Sequence, residues 1–302
     1  MAMLGFNCLI DDVESIAKAT DICNRCGIDT IGVGAVIAFA MECYERGVIT
    51  KEDTGGIELT WGNAAAMVAM VEKIARRDGF GALLAGGSRL AAERIGKGSE
   101  EWAIHIGGQD VPAHDGRAET GYGWGYICDP TPGRHTSSQV MHSLKDGPVP
   151  FPTSAELQLP QVDALDMGAN APIYAICSDL DRLWTSLGLC IFGLYPETFP
   201  LIEAVSAVTG WDFTLAEGLK AGRRIQTLRQ ASNVREGVNT HEWHLPERLA
   251  AVPFSGPVAG RKVDFKAMKA NGYAALGWDA ETSKPLESTL EELGLKELVG
   301  KW

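Results

Sequence analysis

Apolar residues recur at steps of three and four through most of the first hundred positions, the spacing of one face of an α-helix. Ile16, Ala19, Ile22, Cys23 and Cys26 form the first such stripe. Asp11-Asp-Val-Glu14 ahead of it reads as a capping box with a carboxylate in place of the usual hydroxyl, and Gly27 supplies a C-terminal stop. The same pattern predicts helices over 30–46, closed by Gly47, over 63–77, with Asn63 as N-cap, and over 82–95, closed by Gly96. Residues 102–106 alternate like a strand. They lead into a Gly/Pro-rich stretch over 107–133, too long for a simple linker, which reads as a functional or cofactor-facing loop region. That shift in composition sets a domain boundary near residue 106, giving one domain over 1–105 and a second over 106–302. Helical patterning returns over 173–187 and over 215–234, the latter opened by the capping box Thr214-Leu-Ala-Glu217, and Ser288-Thr-Leu-Glu291 announces a short last helix. Nothing in the pattern suggests the strand–helix alternation of a parallel sheet, or an internal array.

Composition narrows the partners. The 302 residues carry a formal net charge of −12, which argues against nucleic acid or an anionic membrane. The longest apolar run, 31–41, is interrupted by Gly32 and Gly34 and falls short of the roughly 20 residues that span a bilayer. The first residues lack the basic segment of a signal peptide. An odd count of seven cysteines argues against a disulfide framework and for a reducing cytoplasm.

Taken as bare residues, Cys23-x-x-Cys26 with Cys8 and Cys190 offers four thiolates for an iron–sulfur cluster or structural zinc. The alternative is packing: Cys23 and Cys26 fall on the apolar face of a helix, where a free cysteine behaves as a small hydrophobe. Gly86-Gly-Ser88 sits in a helical pattern and lacks the Lys-Ser/Thr of a phosphate loop. Arg223, Arg224 and Arg229 suggest a solvated helix face, with cofactor phosphates or an upstream domain as the other option. Trp184 and His105 read as packing residues, and His142, His241 and His244 carry no signal.

Two segments share one design: Asn24-Arg-Cys-Gly-Ile-Asp29 and Thr185-Ser-Leu-Gly-Leu-Cys190 each close a helical run with Gly, an aliphatic residue and then Asp or Cys. The pair resembles the tungstopterin-binding motifs of the aldehyde:ferredoxin oxidoreductase family, Asp-x-x-Gly-Leu followed by Asp or Cys. Asn7-Cys-Leu-Ile-Asp-Asp12, Gly107-Gly-Gln-Asp-Val-Pro-Ala-His-Asp-Gly-Arg117, the segment from Gly121 to His135 and Gly210-Trp-Asp-Phe-Thr214 resemble further family segments in the same order.

The resemblance implies an all-α, multihelical fold in two lobes with a cofactor crevice between them. It implies a tungsten (or molybdenum) bis-pterin held by Asn24, Gly27, Ile28 and Asp29 and by Thr185, Gly188 and Leu189. It makes Cys190 one ligand of a 4Fe-4S cluster and His135 the catalytic residue, an imidazole being suited to proton transfer near neutral pH. The implied reaction oxidises a small aldehyde to a carboxylic acid, with ferredoxin as electron acceptor. The chain departs from the pattern at Asn24 and Thr185, which replace the leading Asp of each motif, and at His114, which replaces a Tyr. The family's other three cluster cysteines and its N-terminal domain have no counterpart here, so a partner domain or subunit is expected to carry them. Two alternatives stay open: a related tungsten enzyme that reduces an acid or an aromatic thioester, and a non-catalytic helical subunit or fragment that needs such a partner.

Overall fold

The structure is a computed structural model that describes residues 1–137, 157, 159–194 and 199–302. It is all-α: twelve α-helices stand among the described residues, and the one sheet there is a hairpin of β1 (His105–Ile106) and β2 (Gln109–Asp110). The chain divides into two compact units, Met1–His114 and Asp115–Trp302. No helix among the described residues is long and apolar enough to cross a membrane.

The first unit is built from α1 (Val13–Cys26), α2 (Thr30–Glu45), α3 (Ala64–Arg76), α4 (Phe80–Leu84) and α5 (Gly87–Ile95). Helix α2 is apolar nearly all round and runs through the core, burying Val33, Val36, Ile37, Phe39, Ala40 and Met41. Helix α1 starts one residue later than the capping-box reading: Asp12 is its N-cap and accepts from the Glu14 N–H. Its stripe buries Ile16, Ala19 and Cys23, whereas Cys26 is exposed, so the packing reading fails for Cys26. Cys8 lies in the core, and burial pushes its thiol up to about 12. The single helix expected over 82–95 is broken into α4 and α5, because Gly87 takes φ 85, a left-handed conformation that ends the first run.

The second unit contains α6 (Thr120–Cys128), α7 (Met167–Ser186), α8 (Leu201–Thr209), α9 (Leu215–Arg235), α10 (Glu247–Ala250), α11 (Phe265–Ala275) and α12 (Glu287–Glu292). Its centre is the pair α7 and α9, with α11 packed on α6 and α7. A Cβ on Gly222 of α9 would lie 1.9 Å from the Asp179 carbonyl oxygen of α7, so these helices meet backbone to backbone. The capping box of α9 forms in both directions between Thr214 and Glu217. That of α12 does not: Leu286 is the N-cap, and Ser288 lies inside the helix. The Gly-rich stretch read as loop contains α6, whose residues are buried except Tyr122. Its glycines serve packing, since a Cβ on Gly123 would stand 3.1 Å from Phe265 and 3.2 Å from the Met268 sulfur.

The solvated-face reading fails for Arg223 and Arg229, which are half-buried: Arg223 pairs with the buried Asp179 at 2.8 Å and Arg229 reaches the buried Asp129 at 3.0 Å. It holds for Arg224, which is exposed and donates to the Leu293 carbonyl at 2.7 Å. Trp184 is buried, as expected of a core residue, and His142 lies outside the described residues.

Candidate cofactor site

In the first unit, α1 ends at Cys26 and Gly27 follows with φ 66; the Gly27 and Ile28 N–H groups both donate to the Cys23 carbonyl. These bonds satisfy carbonyl groups that a helix end otherwise leaves open. The chain re-enters helix at once. Asp29 is the N-cap of α2, and its Oδ2 accepts from the Gly32 N–H at 2.6 Å. Asn24, Gly27 and Asp29 are exposed and Ile28 is half-buried. Nothing lies within 4 Å of where a Cβ on Gly27 would stand, so one side of this helix end is open.

Ile28 and Asp29 line a cleft of about 240 Å³ whose other walls include Gly86, Gly87, Gly108 and Asp110. Asp110 is buried and accepts from the Ser88 N–H at 3.2 Å and from the Ser88 hydroxyl. It thereby caps the N-terminus of α5 from the hairpin. Burial raises its carboxyl above the usual range, the Ser88 bonds offset this in part, and the charge of Asp29 adds to the rise. A Cβ on Gly87 would lie 2.9 Å from Asp110 Oδ2. Gly86 and Gly87, which the periodicity places inside a helix, therefore form part of the wall of this cleft, while Ser88 lies within α5. The signal for it was the glycine pair itself, which is costly in a helix interior and common where the backbone must turn.

In the second unit, α7 ends at Ser186 and Gly188 takes φ 74, its N–H donating to the Thr185 carbonyl while the Leu189 N–H reaches that of Trp184. Again nothing occupies the space a Gly188 Cβ would enter. Thr185, Gly188 and Cys190 are exposed and Leu189 is half-buried. The Thr185 hydroxyl donates to the Asp181 carbonyl at 2.6 Å, and the Trp184 indole N–H donates to the Cys190 carbonyl at 2.9 Å, which anchors the loop carrying the exposed thiol. Among the described residues no three His, Cys, Asp or Glu side chains gather as a metal site.

His135 is half-buried on the loop that leaves α6. The start of that loop is held firmly. Asp129, whose side chain is fully buried, accepts from Arg229 through both oxygens at 3.0 and 3.3 Å, from Gln226 at 2.9 Å and from the Thr131 N–H at 2.8 Å. Arg229 also donates to the Thr131 hydroxyl at 2.7 Å, and Asn233 to the Pro130 carbonyl at 2.7 Å. Burial alone would raise the Asp129 carboxyl; the nearby charges of Arg229 and Arg182 and the bonds from Gln226 and Arg229 outweigh it and hold the group below the usual range.

The family profile described as "Aldehyde ferredoxin oxidoreductase, domains 2 & 3" matches residues 1–295. The tungsten-containing aldehyde ferredoxin oxidoreductase of Pyrococcus abyssi is 34% identical over 305 residues, covering 98% of this chain and 48% of that protein. The Pyrococcus furiosus protein of the same name is 34% identical over 300 residues, covering 97% and 47%. Among solved structures, the active-site complex BamBC of benzoyl coenzyme A reductase, in complex with 1,5-dienoyl-CoA, superposes with a TM-score of 0.64 at 20% identity, over 90% of this chain and 44% of that one, a likeness of fold. The chain spans about half the length of these relatives. It belongs to the aldehyde ferredoxin oxidoreductase family and corresponds to domains 2 and 3 of its members.

Proposed function

We propose that this chain is the domain 2 and 3 portion of a tungstopterin oxidoreductase that converts aldehydes to carboxylic acids and passes the electrons to ferredoxin. The observation that carries the reading is the repeated helix end. Each unit offers a left-handed glycine with open space beside it, then a half-buried aliphatic residue, then an exposed Asp29 or Cys190. Such an end fits a flat polar heterocycle, because the missing Cβ permits close approach of the backbone. A carboxylate beside it can accept from ring N–H groups. Asn24, Gly27, Ile28 and Asp29 would hold one pterin and Thr185, Gly188 and Leu189 the other.

The bound metal, tungsten or molybdenum, supplies the two-electron chemistry, and the protein supplies orientation and proton handling. His135 would carry a proton at its imidazole, fixed in place by the braced loop that begins at Asp129. Cys190 would donate one thiolate to a 4Fe-4S cluster, which takes four ligands in all. The remaining three would come from a domain or subunit corresponding to domain 1 of the family. A second reading keeps the cofactor and reverses the chemistry toward an acid or aromatic thioester. It is motivated by the loss of the motif carboxylate at Thr185 and by His114 in place of Tyr.

The test is to co-produce the chain with a domain 1 polypeptide under anaerobic conditions and to measure tungsten, molybdenum, pterin and iron. Aldehyde-dependent dye reduction is assayed alongside thioester-dependent dye oxidation. Stoichiometric metal and pterin with aldehyde-dependent reduction is the expected result. A complex that assembles without either metal or pterin defeats both enzymatic readings and leaves the non-catalytic helical subunit.

A further inference from the structure

The first unit has a second cleft, of about 380 Å³, away from the cofactor motif. It lies beyond the C-terminal end of α2, whereas Asp29 caps the N-terminal end, and the 16 residues of the helix span about 24 Å. No motif residue lines it. Three segments supply its apolar walls: Val48 and Ile49 just after α2, Phe80 and Leu83 from α4, and Ile95 at the end of α5. Apolar walls with a few polar groups, at this size, are the usual form of a small-molecule site.

Charge at the mouth gives this cleft a preference. The exposed Arg94, Lys97 and Asp53 line it. Asp53 is engaged from its own loop: its Oδ2 accepts from the Thr50 N–H at 2.8 Å and from the Thr50 hydroxyl at 2.9 Å. Lys97 takes φ 57 between Gly96 and Gly98, both also left-handed, a conformation that a residue with a Cβ adopts only at a cost. Its ammonium donates to the Val48 carbonyl at 2.9 Å, which fixes the charge against the cleft wall and leaves two N–H groups to give. Arg94 stands in the last turn of α5, where a cation suits the helix dipole, yet its guanidinium has no ion pair or hydrogen bond among the described residues. Its neighbour Glu93 is taken by Arg89 at 2.6 Å. Lys73, close to Gly79 on the cleft wall, is balanced by Asp78 at 3.0 Å. Two cations against one carboxylate leave a single positive charge at an apolar cleft, in a chain whose net charge is −12.

We propose that this cleft binds a small monocarboxylate with an apolar body, its carboxylate on Arg94 and Lys97 and its body against Phe80, Leu83 and Ile95. A guanidinium matches the two oxygens of a carboxylate in its own plane, and the lysine supplies a further charged donor. One net positive charge balances a monoanion, whereas a phosphate dianion would exceed it and be repelled by Asp53. The site is independent of the proposed oxidoreductase activity, since it calls on none of the motif residues and its test needs no cofactor.

The experiment uses the full chain. Hexanoate, its neutral amide and acetate are titrated separately at low, constant ionic strength. Saturation-transfer NMR of each is followed in wild type, Arg94→Gln, Lys97→Gln, the double variant and Leu83→Trp, whose indole would fill the cleft. Circular dichroism checks that each variant is folded. Saturable binding of hexanoate to wild type is expected, with hexanamide weaker and acetate, which has almost no apolar body, not saturating. Each single charge variant should weaken hexanoate about fivefold, the upper end for an exposed ion pair, and the double variant should bring it level with the amide. Leu83→Trp should abolish binding of both. Added salt should weaken hexanoate and leave the amide unchanged. If Leu83→Trp fails to fold, the charge variants decide the matter. Absence of saturable hexanoate binding overturns the proposal. So does equal affinity for acid and amide, or charge variants that bind hexanoate as well as wild type does.

Discussion

Replacing Arg229 with Met should unfasten the loop that carries His135, and the cost can be worked from the contacts. Met keeps much of the side-chain volume and removes the guanidinium. Four hydrogen bonds disappear: two to Asp129, one to the Thr131 hydroxyl and one to the Gln226 carbonyl oxygen at 2.6 Å. Asp129 keeps Gln226 and the Thr131 N–H, but its fully buried charge loses its direct partner. Breaking a buried pair from one side typically costs about 3–5 kcal/mol. Arg229 is itself 25% exposed, so part of its interaction is screened, and about 3 kcal/mol is the better figure here.

The pH dependence gives the sharper test. The folded state holds the Asp129 carboxyl below its unfolded value. The pair therefore stabilises the fold at pH values above the usual carboxylate range, and that stability fades as pH falls through the folded value. The difference between wild type and Arg229→Met should be full at pH 7 and shrink below about pH 4, where unfolded Asp is protonated. Urea unfolding followed by circular dichroism at several pH values measures this, and hydrogen exchange should show the amides of residues 130–137 opening first. Equal stability at pH 7, or a deficit that does not change with pH, would refute the charge-pair reasoning. Arg229→Lys should recover less than half of the loss, because an ammonium cannot bridge both Asp129 oxygens and Thr131 in one plane.

Asp179 should behave in the opposite sense. Burial raises its carboxyl to about 6 despite Arg223, so its contribution to stability is present at low pH and is lost as pH rises through about 6; Asp179→Asn should flatten the unfolding free energy between pH 4 and 7. Gly27→Ala and Gly188→Ala should each cost about 1 kcal/mol in urea unfolding, from the positive φ alone, since no atom stands within 4 Å of the added Cβ. A larger loss would mean that the space is filled. Native thiol labelling of the chain should modify Cys26 and Cys190 quickly and the five buried cysteines slowly, and rapid labelling of Cys8 or Cys128 would contradict the packing described. In a complex restored with a domain 1 polypeptide, Cys190→Ala should disturb the iron–sulfur spectrum while Cys26→Ala leaves it unchanged; the reverse pattern would displace Cys190 as ligand.

The helices with a strong apolar stripe and a side-chain cap were legible in the sequence, because local geometry decides them: Asn63 before α3 and Thr214 with Glu217 before α9 cap as their spacing implies. Helix α6 was not, since Thr-Gly-Tyr-Gly-Trp-Gly reads as loop by propensity and becomes helix only where tertiary packing needs bare backbone against Phe265 and Met268. Charge was the other blind spot. Arg223 and Arg229 follow a pattern that would suit a solvated face, and their partners Asp179 and Asp129 lie far away in the chain, beyond the reach of any local rule. At the candidate site, Gly27 and Gly188 were readable as helix stops. The role of Asp110 as a cap donated by a hairpin was not, because it depends on a contact across 22 positions.

The two helix ends are alike in backbone and unlike in side chain, and the difference bears on how each would treat a bound ring. At the first, the side chain of Asn24 is exposed and makes no hydrogen bond among the described residues, so its carboxamide offers both a donor and an acceptor. Asp29 beside it is already partly committed to the Gly32 N–H, yet a carboxylate has further lone pairs to give. At the second end, Thr185 spends its only hydrogen on the Asp181 carbonyl, a back-bond within its own helix, and retains an acceptor alone. Cys190 contributes a thiol in place of a carboxylate, with its carbonyl tied to Trp184. The first end would therefore grip a heterocycle through directed polar contacts from two side chains. On the proposed reading, the second would rely on backbone groups near Gly188 and on whatever Cys190 binds, so its hold on a ring would be the weaker of the two and the more dependent on a partner that completes the metal ligands.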